Sequence, residues 1–285
     1  MTAPRVTTVV ITRDRLPDLQ KSLPRHQRPV VMVDNGSTDG TVEWVRSHLP
    51  WIEIVALGDN RGAAARNIGV EAATTPYVAF ADDDSWWESG ALDCAADLFD
   101  RHPRLAVLAA RILVGTENRP DPICALMVDS PLGSSVDLPG PEILGFLACG
   151  AVVRRTAFLQ SAGFDDVVFF GGEEERLALD LRSAGWGLCY VPDVVAHHHP
   201  SPSRNGAERA VRWHRNRILT TLMRRPWPVV GRAVLEAGRS GPPGRAGVRA
   251  AVRRSGAALA RRQVVPAEVE RARRLLDGPP RRRRR

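Results

Sequence analysis

The sequence predicts an α/β fold with a mainly parallel central sheet, followed by a basic helical extension. Three observations predict it. Compact β-branched runs alternate with segments of helical apolar spacing, the pattern of βαβ units. Polar residues fall just past the ends of those runs. And charge is divided unevenly: from Ser201 onward there are 23 arginines against five acidic residues, whereas residues 1–200 carry 17 basic and 27 acidic ones.

The elements follow in order. "VTTVVIT" (Val6–Thr12) reads as a buried strand, and "PVVMVD" (Pro29–Asp34) as a second. "NGSTDGT" is dense in turn formers and caps, and "TVEWVRSHL" has helical spacing. "WIEIVAL" is a third strand, "AAARNIGVEAA" a helix and "YVAFA" a fourth strand. Right-handed crossovers place the C-terminal ends of parallel strands on one edge, where open α/β sheets bind ligands. Asp34, Asn60 and Asp82 fall at that rim. "ALDCAADLFDRHP" reads as a helix and "LAVLAARIL" as a strand. The Pro-, Gly- and Ser-rich stretch 115–141 reads as a loop or insertion. "FLACGAVVRRTAFLQSAGF" reads as strand then helix, "EEERLALDLRSAGW" as a helix ended by Gly185, and "LCYVPDVVAHHH" as a last strand. The expected division is a catalytic domain over 1–202, with halves of about 1–115 and 116–202, a basic helical extension over 203–278 and a disordered arginine tail over 279–285.

With 285 residues, 44% of them hydrophobic, the chain can bury a sizeable core. The four cysteines are widely spaced with no CxxC pair, which argues against a disulfide framework or thiolate zinc site and fits a reducing cytoplasm. Neither a signal peptide nor a transmembrane helix is expected. The basic arm suits an anionic membrane surface, so the expected location is cytoplasmic, peripheral at the inner face of the membrane. Nucleic acid is not an expected partner, because the arginines lack regular aromatic interleaving and no nucleic-acid motif appears.

"ADDDSWW" places three aspartates directly after a buried strand. Like charges there repel, and a divalent cation would remove the repulsion. Asp82 and Asp84 are two apart, so in an extended segment both carboxylates reach one ion. Mg²⁺ and Mn²⁺ prefer such hard oxygen ligands, completed by substrate phosphates.

Together with "VVITRDR", "VDNGSTDGT", "DNRGAAARNIG", "GFDDVVFFGGEEERLALDLRSAGW" and "VPDVVAHHH", this run resembles the family 2 glycosyltransferases of the GT-A fold, over roughly residues 5–225. The resemblance implies a metal-dependent inverting transferase, moving a sugar from a nucleotide-diphosphate sugar to a hydroxyl of a glycan or lipid-linked acceptor in cell-envelope glycan, polysaccharide or glycolipid synthesis. It implies Asp34 on the nucleotide, Thr12, Arg13 and Arg15 on the first loop near base and phosphates, and Arg66 and Asn67 beside the diphosphate. Asp82 and Asp84, with Asp83 between them, match the DxD motif that binds Mg²⁺ or Mn²⁺. The acceptor base falls on Glu174 or Glu173, with Glu175 also open. A histidine of the run 197–199 completes the metal site, His197 being favoured, and Arg215 or Arg217 reaches diphosphate or acceptor. The alternatives are a nucleotide-sugar-binding protein without transfer activity, for which "EEE" in place of the family's glutamate-aspartate pair is the clue, and a nucleic-acid-binding protein.

Overall fold

The computed structural model describes residues 3–201 and 206–278; the expected tail 279–285 lies outside the described residues. The chain runs β1 (Val6–Thr12), α1 (Leu16–Ser22), β2 (Val30–Asp34), α2 (Thr41–His48), β3 (Glu53–Ala56), α3 (Ala65–Ala72), β4 (Tyr77–Asp82), β5 (Ser85–Trp87), α4 (Ala91–Arg101) and β6 (Leu105–Val114). It continues through β7 (Arg119–Pro120), α5 (Pro122–Val128), β8 (Ala151–Arg154), α6 (Arg155–Gln160), α7 (Glu173–Ser183) and β9 (Gly187–His198). The extension comprises α8 (Gly206–Arg224), α9 (Trp227–Arg239), α10 (Gly241–Val252), α11 (Ser255–Ala260) and α12 (Ala267–Asp277).

One sheet orders the strands β3-β2-β1-β4-β8-β6-β9-β5, with β7 paired to β6. β1, β2, β3, β4, β6 and β9 run one way; β5, β7 and β8 run against them. Both faces are covered, so the central strands read as continuous apolar runs. Alternate residues of β1 serve the two faces: Val9 and Ile11 join the cluster under α3, Val10 the cluster with Leu19, Leu23 and Val45. β9 accommodates Pro192 in a bulge, where pairing jumps from Ala110↔Val191 to Arg111↔Val195 and no ladder N–H is needed from the proline.

The register positions the site. Thr12 pairs with Asp34, and Ile11 with Asp82, so three parallel strands end side by side at one rim. The sequence reading passes over α1, α5 and β5. The stretch expected to be a loop carries α5, whose start has the chemistry of a cap: Asp121 Oδ1 accepts the Ile123 N–H at 2.9 Å and Pro122 opens the first turn.

The extension is docked rather than detached. Ile218, Leu219, Leu222 and Met223 of α8 share an apolar cluster with Val167 and Val168, while Val265 and Val269 pack on Leu179 of α7. Arg224 pairs with Asp180 of α7, and Arg261 with Asp165 at 2.9 Å. Arg225, 3% exposed, donates to both Glu270 carboxylate oxygens at 3.0 and 3.1 Å and to Asp277 at 2.7 Å, tying α12 to the end of α8. Arg225→Ala leaves Glu270 buried without this partner. Glu270 keeps Arg274, so the expected loss is about 1.5–3 kcal/mol in denaturant unfolding, with faster protease cleavage in α12; a variant within about 1 kcal/mol of wild type, the scale of an exposed pair, would show that this fork does not hold the helix.

Candidate active site

At the strand rim, Asp34 Oδ2 accepts the Ser37 N–H at 3.0 Å, closing the turn after β2. Asp34 Oδ1 and Thr12 Oγ1 are buried with no hydrogen-bond partner, so two polar atoms on neighbouring strands remain for a ligand. Thr12, Arg13, Arg15, Asn35, Asn60 and Asp82 line a cleft of about 1400 Å³; Asp34 is buried and does not line it.

The three aspartates do not lie in an extended segment. Asp82 ends β4, its N–H on Ser85 Oγ at 2.8 Å, and Asp83 and Asp84 form the turn into β5. The turn, not strand alternation, brings the carboxylates together. Asp82 and Asp83 line the cleft, while Asp84 is buried beneath with its Oδ1 3.3 Å from His198 Nε2. Asp83 lies 4.0 Å from Arg15. Burial, then the charges of Asp84 and Asp82, push its carboxyl up to about 8.

His197, the histidine favoured from sequence, is not the one at the aspartates. β9 pairs antiparallel with β5, which sets its side chain against Trp86 (ring centroids 5.2 Å apart, stacked), with Nε2 2.7 Å from Glu88. His198 points the other way, as alternation requires, and meets Asp84.

Arg66 and Asn67, which the resemblance places beside the diphosphate, are not among the residues that line the cleft. Arg66 is 1% exposed; it donates to Asp82 at 2.5 Å and to Glu173 at 3.4 Å, so its guanidinium links two carboxylates instead of facing the cleft. Asn67 clamps the backbone of Phe164, donating to its carbonyl and accepting from its N–H, each at 2.9 Å.

Of the "EEE" run, Glu173 is buried on Arg66, and Glu174 and Glu175 line the cleft. Glu174 Oε1 accepts the Ala148 N–H at 3.2 Å, and Glu175 pairs with Arg273 of α12 at 2.8 Å. Burial raises the carboxyls of Glu173 and Glu174. Glu173 reaches about 8, through burial and then the charge of Glu174, with Arg66 opposing; for Glu174 the upward effect of burial outweighs backbone donors and Arg66. The preceding segment is shaped by backbone constraint. Gly171 and Gly172 have φ of +87° and +89°, and Phe169 has φ of +73°. Gly62 lies so close that a Cβ there would sit 2.4 Å from the Phe169 carbonyl oxygen, which accepts the Ala63 N–H at 2.7 Å. Asn216 of α8, buried, donates to the carbonyls of Phe170 and Gly171 at 2.8 and 2.5 Å.

Arg215 and Arg217 do not reach the cleft: Arg215 donates to the Val168 carbonyl at 3.0 Å, and Arg217 pairs with Glu236 at 2.6 Å. The cleft residues of α8 are Arg209, Arg212 and Trp213, and α12 adds Arg273, Arg274, Leu275 and Leu276. No group of three or more His, Cys, Asp or Glu among the described residues is arranged to hold a metal alone. That donor set still fits Mg²⁺ or Mn²⁺, which use one or two carboxylates and take further ligands from substrate phosphates. Burial first, and then the charges of Asp84 and Asp82, raise the Asp83 carboxyl, and a bound cation would offset both.

Residues 9–160 match the sequence model of glycosyl transferase family 2. The chain belongs to this family. It is 28% identical over 212 residues to the N-acetylglucosaminyl-diphospho-decaprenol L-rhamnosyltransferase of Mycobacterium tuberculosis, covering 62% of this chain and 69% of that protein. The pre-mycofactocin glycosyltransferase of the same organism is 31% identical over 191 residues, covering 63% of this chain and 39% of the relative. Among solved structures, the mannosyltransferase PcManGT from Pyrobaculum calidifontis, in complex with GDP-Man and Mn²⁺, superposes with a TM-score of 0.59 at 23% identity, covering 91% of this chain and 75% of that one. Staphylococcus aureus TarS 1–349 with UDP-GlcNAc gives 0.56 at 16% identity, covering 89% and 73%. The fold is GT-A, and this family 2 chain is a glycosyltransferase.

Between 4.5 and about 8 the folded chain holds a Glu173 proton that the unfolded chain has released, so stability falls as pH rises through that window. In metal-free buffer the thermal midpoint should therefore drop between pH 5 and pH 8, and drop less in Glu173→Gln (the window being that of the shift). Parallel pH profiles for the two proteins, read by calorimetry, would contradict the buried protonated state.

Proposed function

We propose that this glycosyltransferase moves a sugar from a nucleotide-diphosphate sugar to an acceptor hydroxyl by single displacement with inversion, in the synthesis of a cell-envelope glycan. The observation that carries the reading is the placement of Glu174: it and Glu175 line the cleft with Asp82 and Asp83, but Glu175 is paired with Arg273 and Glu173 with Arg66. Relatives named as acting on a diphospho-decaprenol-linked sugar and on pre-mycofactocin, and neighbours holding GDP-Man or UDP-GlcNAc, support the donor and acceptor classes.

Thr12 and Asp34 would receive the nucleoside through the polar atoms left at the strand rim, and Arg13 and Arg15 lie on the first loop on the side of its phosphates. Asp82 and Asp84, with His198 behind Asp84, would hold a Mg²⁺ or Mn²⁺ ion. Bound there, the ion supplies Lewis-acid stabilisation of charge on the leaving diphosphate. Glu174 takes the acceptor's proton; its raised carboxyl makes it a stronger base than an exposed glutamate. The open backbone at Gly171 and Gly172 leaves room for the acceptor beside it. Among the described residues no helix is long and apolar enough to cross a membrane, and the basic extension would bring the enzyme to an anionic membrane face.

Glu174→Gln keeps size and the acceptor atom for the Ala148 N–H but cannot take a proton. Its kcat should fall by about 10²–10⁴ with nucleotide-sugar affinity near wild type, the usual scale of base removal. Glu173→Gln should lose less. Full turnover by Glu174→Gln would place the base elsewhere. EDTA should abolish transfer and Mn²⁺ or Mg²⁺ restore it; undiminished turnover in EDTA would remove the ion from the reading.

A further inference from the structure

Four of the chain's exposed large apolar side chains lie on the same cleft: Leu126 of α5 (58% exposed), Phe170 before α7 (40%), Trp213 of α8 (54%) and Leu275 of α12 (51%). Single exposed hydrophobics need no explanation, but four from distant elements lining one concavity make a patch. Beside them stand Arg209 and Arg212. Together with Trp213 they sit at i, i+3 and i+4, on one face of α8. The other cleft arginines are matched: Arg13 with Asp14, Arg15 with Asp18 and Asp83, Arg273 with Glu175 and Arg274 with Glu270. Arg209 and Arg212 face no carboxylate within salt-bridge distance among the described residues, and they lie in the first turns of α8, at the positive end of its dipole. Both are exposed, so neither is a structural charge.

Unmatched cationic groups next to an uncovered apolar wall suit a ligand that is anionic at one point and apolar beyond it. A nucleotide has no long apolar part, and a free saccharide has neither feature. We propose that this region is the acceptor subsite and takes a long-chain alcohol diphosphate carrying the accepting sugar, its diphosphate on Arg209 and Arg212 and its chain along Leu126, Phe170, Trp213 and Leu275. The inference rests on the transferase reading above, because Glu174 on the same cleft is what would meet the sugar's hydroxyl.

The test measures binding of farnesyl diphosphate to the full chain by calorimetry, with the donor site filled by whichever of UDP, GDP and TDP the protein binds. Inorganic diphosphate and farnesol are the comparison probes. Farnesyl diphosphate should bind at least about tenfold more tightly than either, since charged hydrogen bonds and apolar burial act together. The double variant Arg209→Gln, Arg212→Gln should weaken it by about tenfold or more, and Leu126→Gln by a smaller factor. Arg245→Gln, Arg249→Gln on α10, away from the cleft, should change nothing. Equal affinity for inorganic diphosphate would overturn the apolar half, and displacement by the nucleotide would mean that the probe occupies the donor site and overturn the whole. If the double variant loses binding to phosphatidylglycerol vesicles yet keeps farnesyl diphosphate, the arginines serve a membrane surface and the subsite is wrong. Failure of all three nucleotides to bind sinks the transferase reading; the farnesyl diphosphate comparison, run without them, still decides the subsite.

Discussion

Arg66 is the charge around which the site is organised. Its guanidinium is buried at the end of β4 and the start of α7, and Asp82, Glu173 and Glu174 all act on it. Taking an arginine out of water is costly, and attraction to well-placed carboxylates has to offset the loss. The same holds in reverse: without Arg66, a cluster of aspartates and glutamates would face one another across the cleft floor. One buried cation thus ties two stretches of chain whose residues, Arg66 and Glu173, stand 107 positions apart in sequence. A pair this deep positions groups more than it adds stability, because neither partner can move without stranding the other.

Much of this was legible in the sequence, and the failures have physical causes. The runs Val6–Thr12, Val30–Asp34 and Tyr77–Asp82 are strands because β-branched and apolar side chains suit a sheet covered on both faces, and their polar termini mark the rim. α5 was hidden by its seven-residue length among prolines and glycines, although Asp121-Pro122 carries the cap signal. Arg66 illustrates the limit of reading a motif: the resemblance implies a guanidinium beside the phosphates, but only packing shows that Asp82 and Glu173 hold it. The histidine run posed a parity question. Alternation divides His197 from His198, and the pairing of β5 with β9, invisible in sequence, decides which one faces Asp84.

The C-terminal helices shape the site as well as cover it. Asn216 holds the carbonyls of Phe170 and Gly171, Arg215 holds that of Val168, and Arg254 those of Asp166 and Val167. The segment leading into the glutamates of α7 thus has its unusual backbone angles fixed by residues 215–254. Strained loops persist when their surroundings over-determine them, and here the surroundings are largely α8 and α11's flanks. A basic arm read from composition as a surface feature is, in three dimensions, part of the wall.

The span of that wall, from Ile11 to Gly278, has a consequence for the time at which the protein becomes an enzyme. During synthesis the strands that end at Thr12, Asp34 and Asp82 can pair long before α12 has left the ribosome, since domains assemble from the N-terminus onward. A nascent chain can therefore acquire its strand rim while the opposite wall is still missing, and with it the pair between Glu175 and Arg273. Over that interval Val167, Val168 and Leu179 stay uncovered, waiting for α8 and α12. Completion of the cleft thus coincides with the burial of Val167, Val168 and Leu179, so that a chain stalled before α12 lacks part of its cleft wall and keeps apolar surface open to solvent.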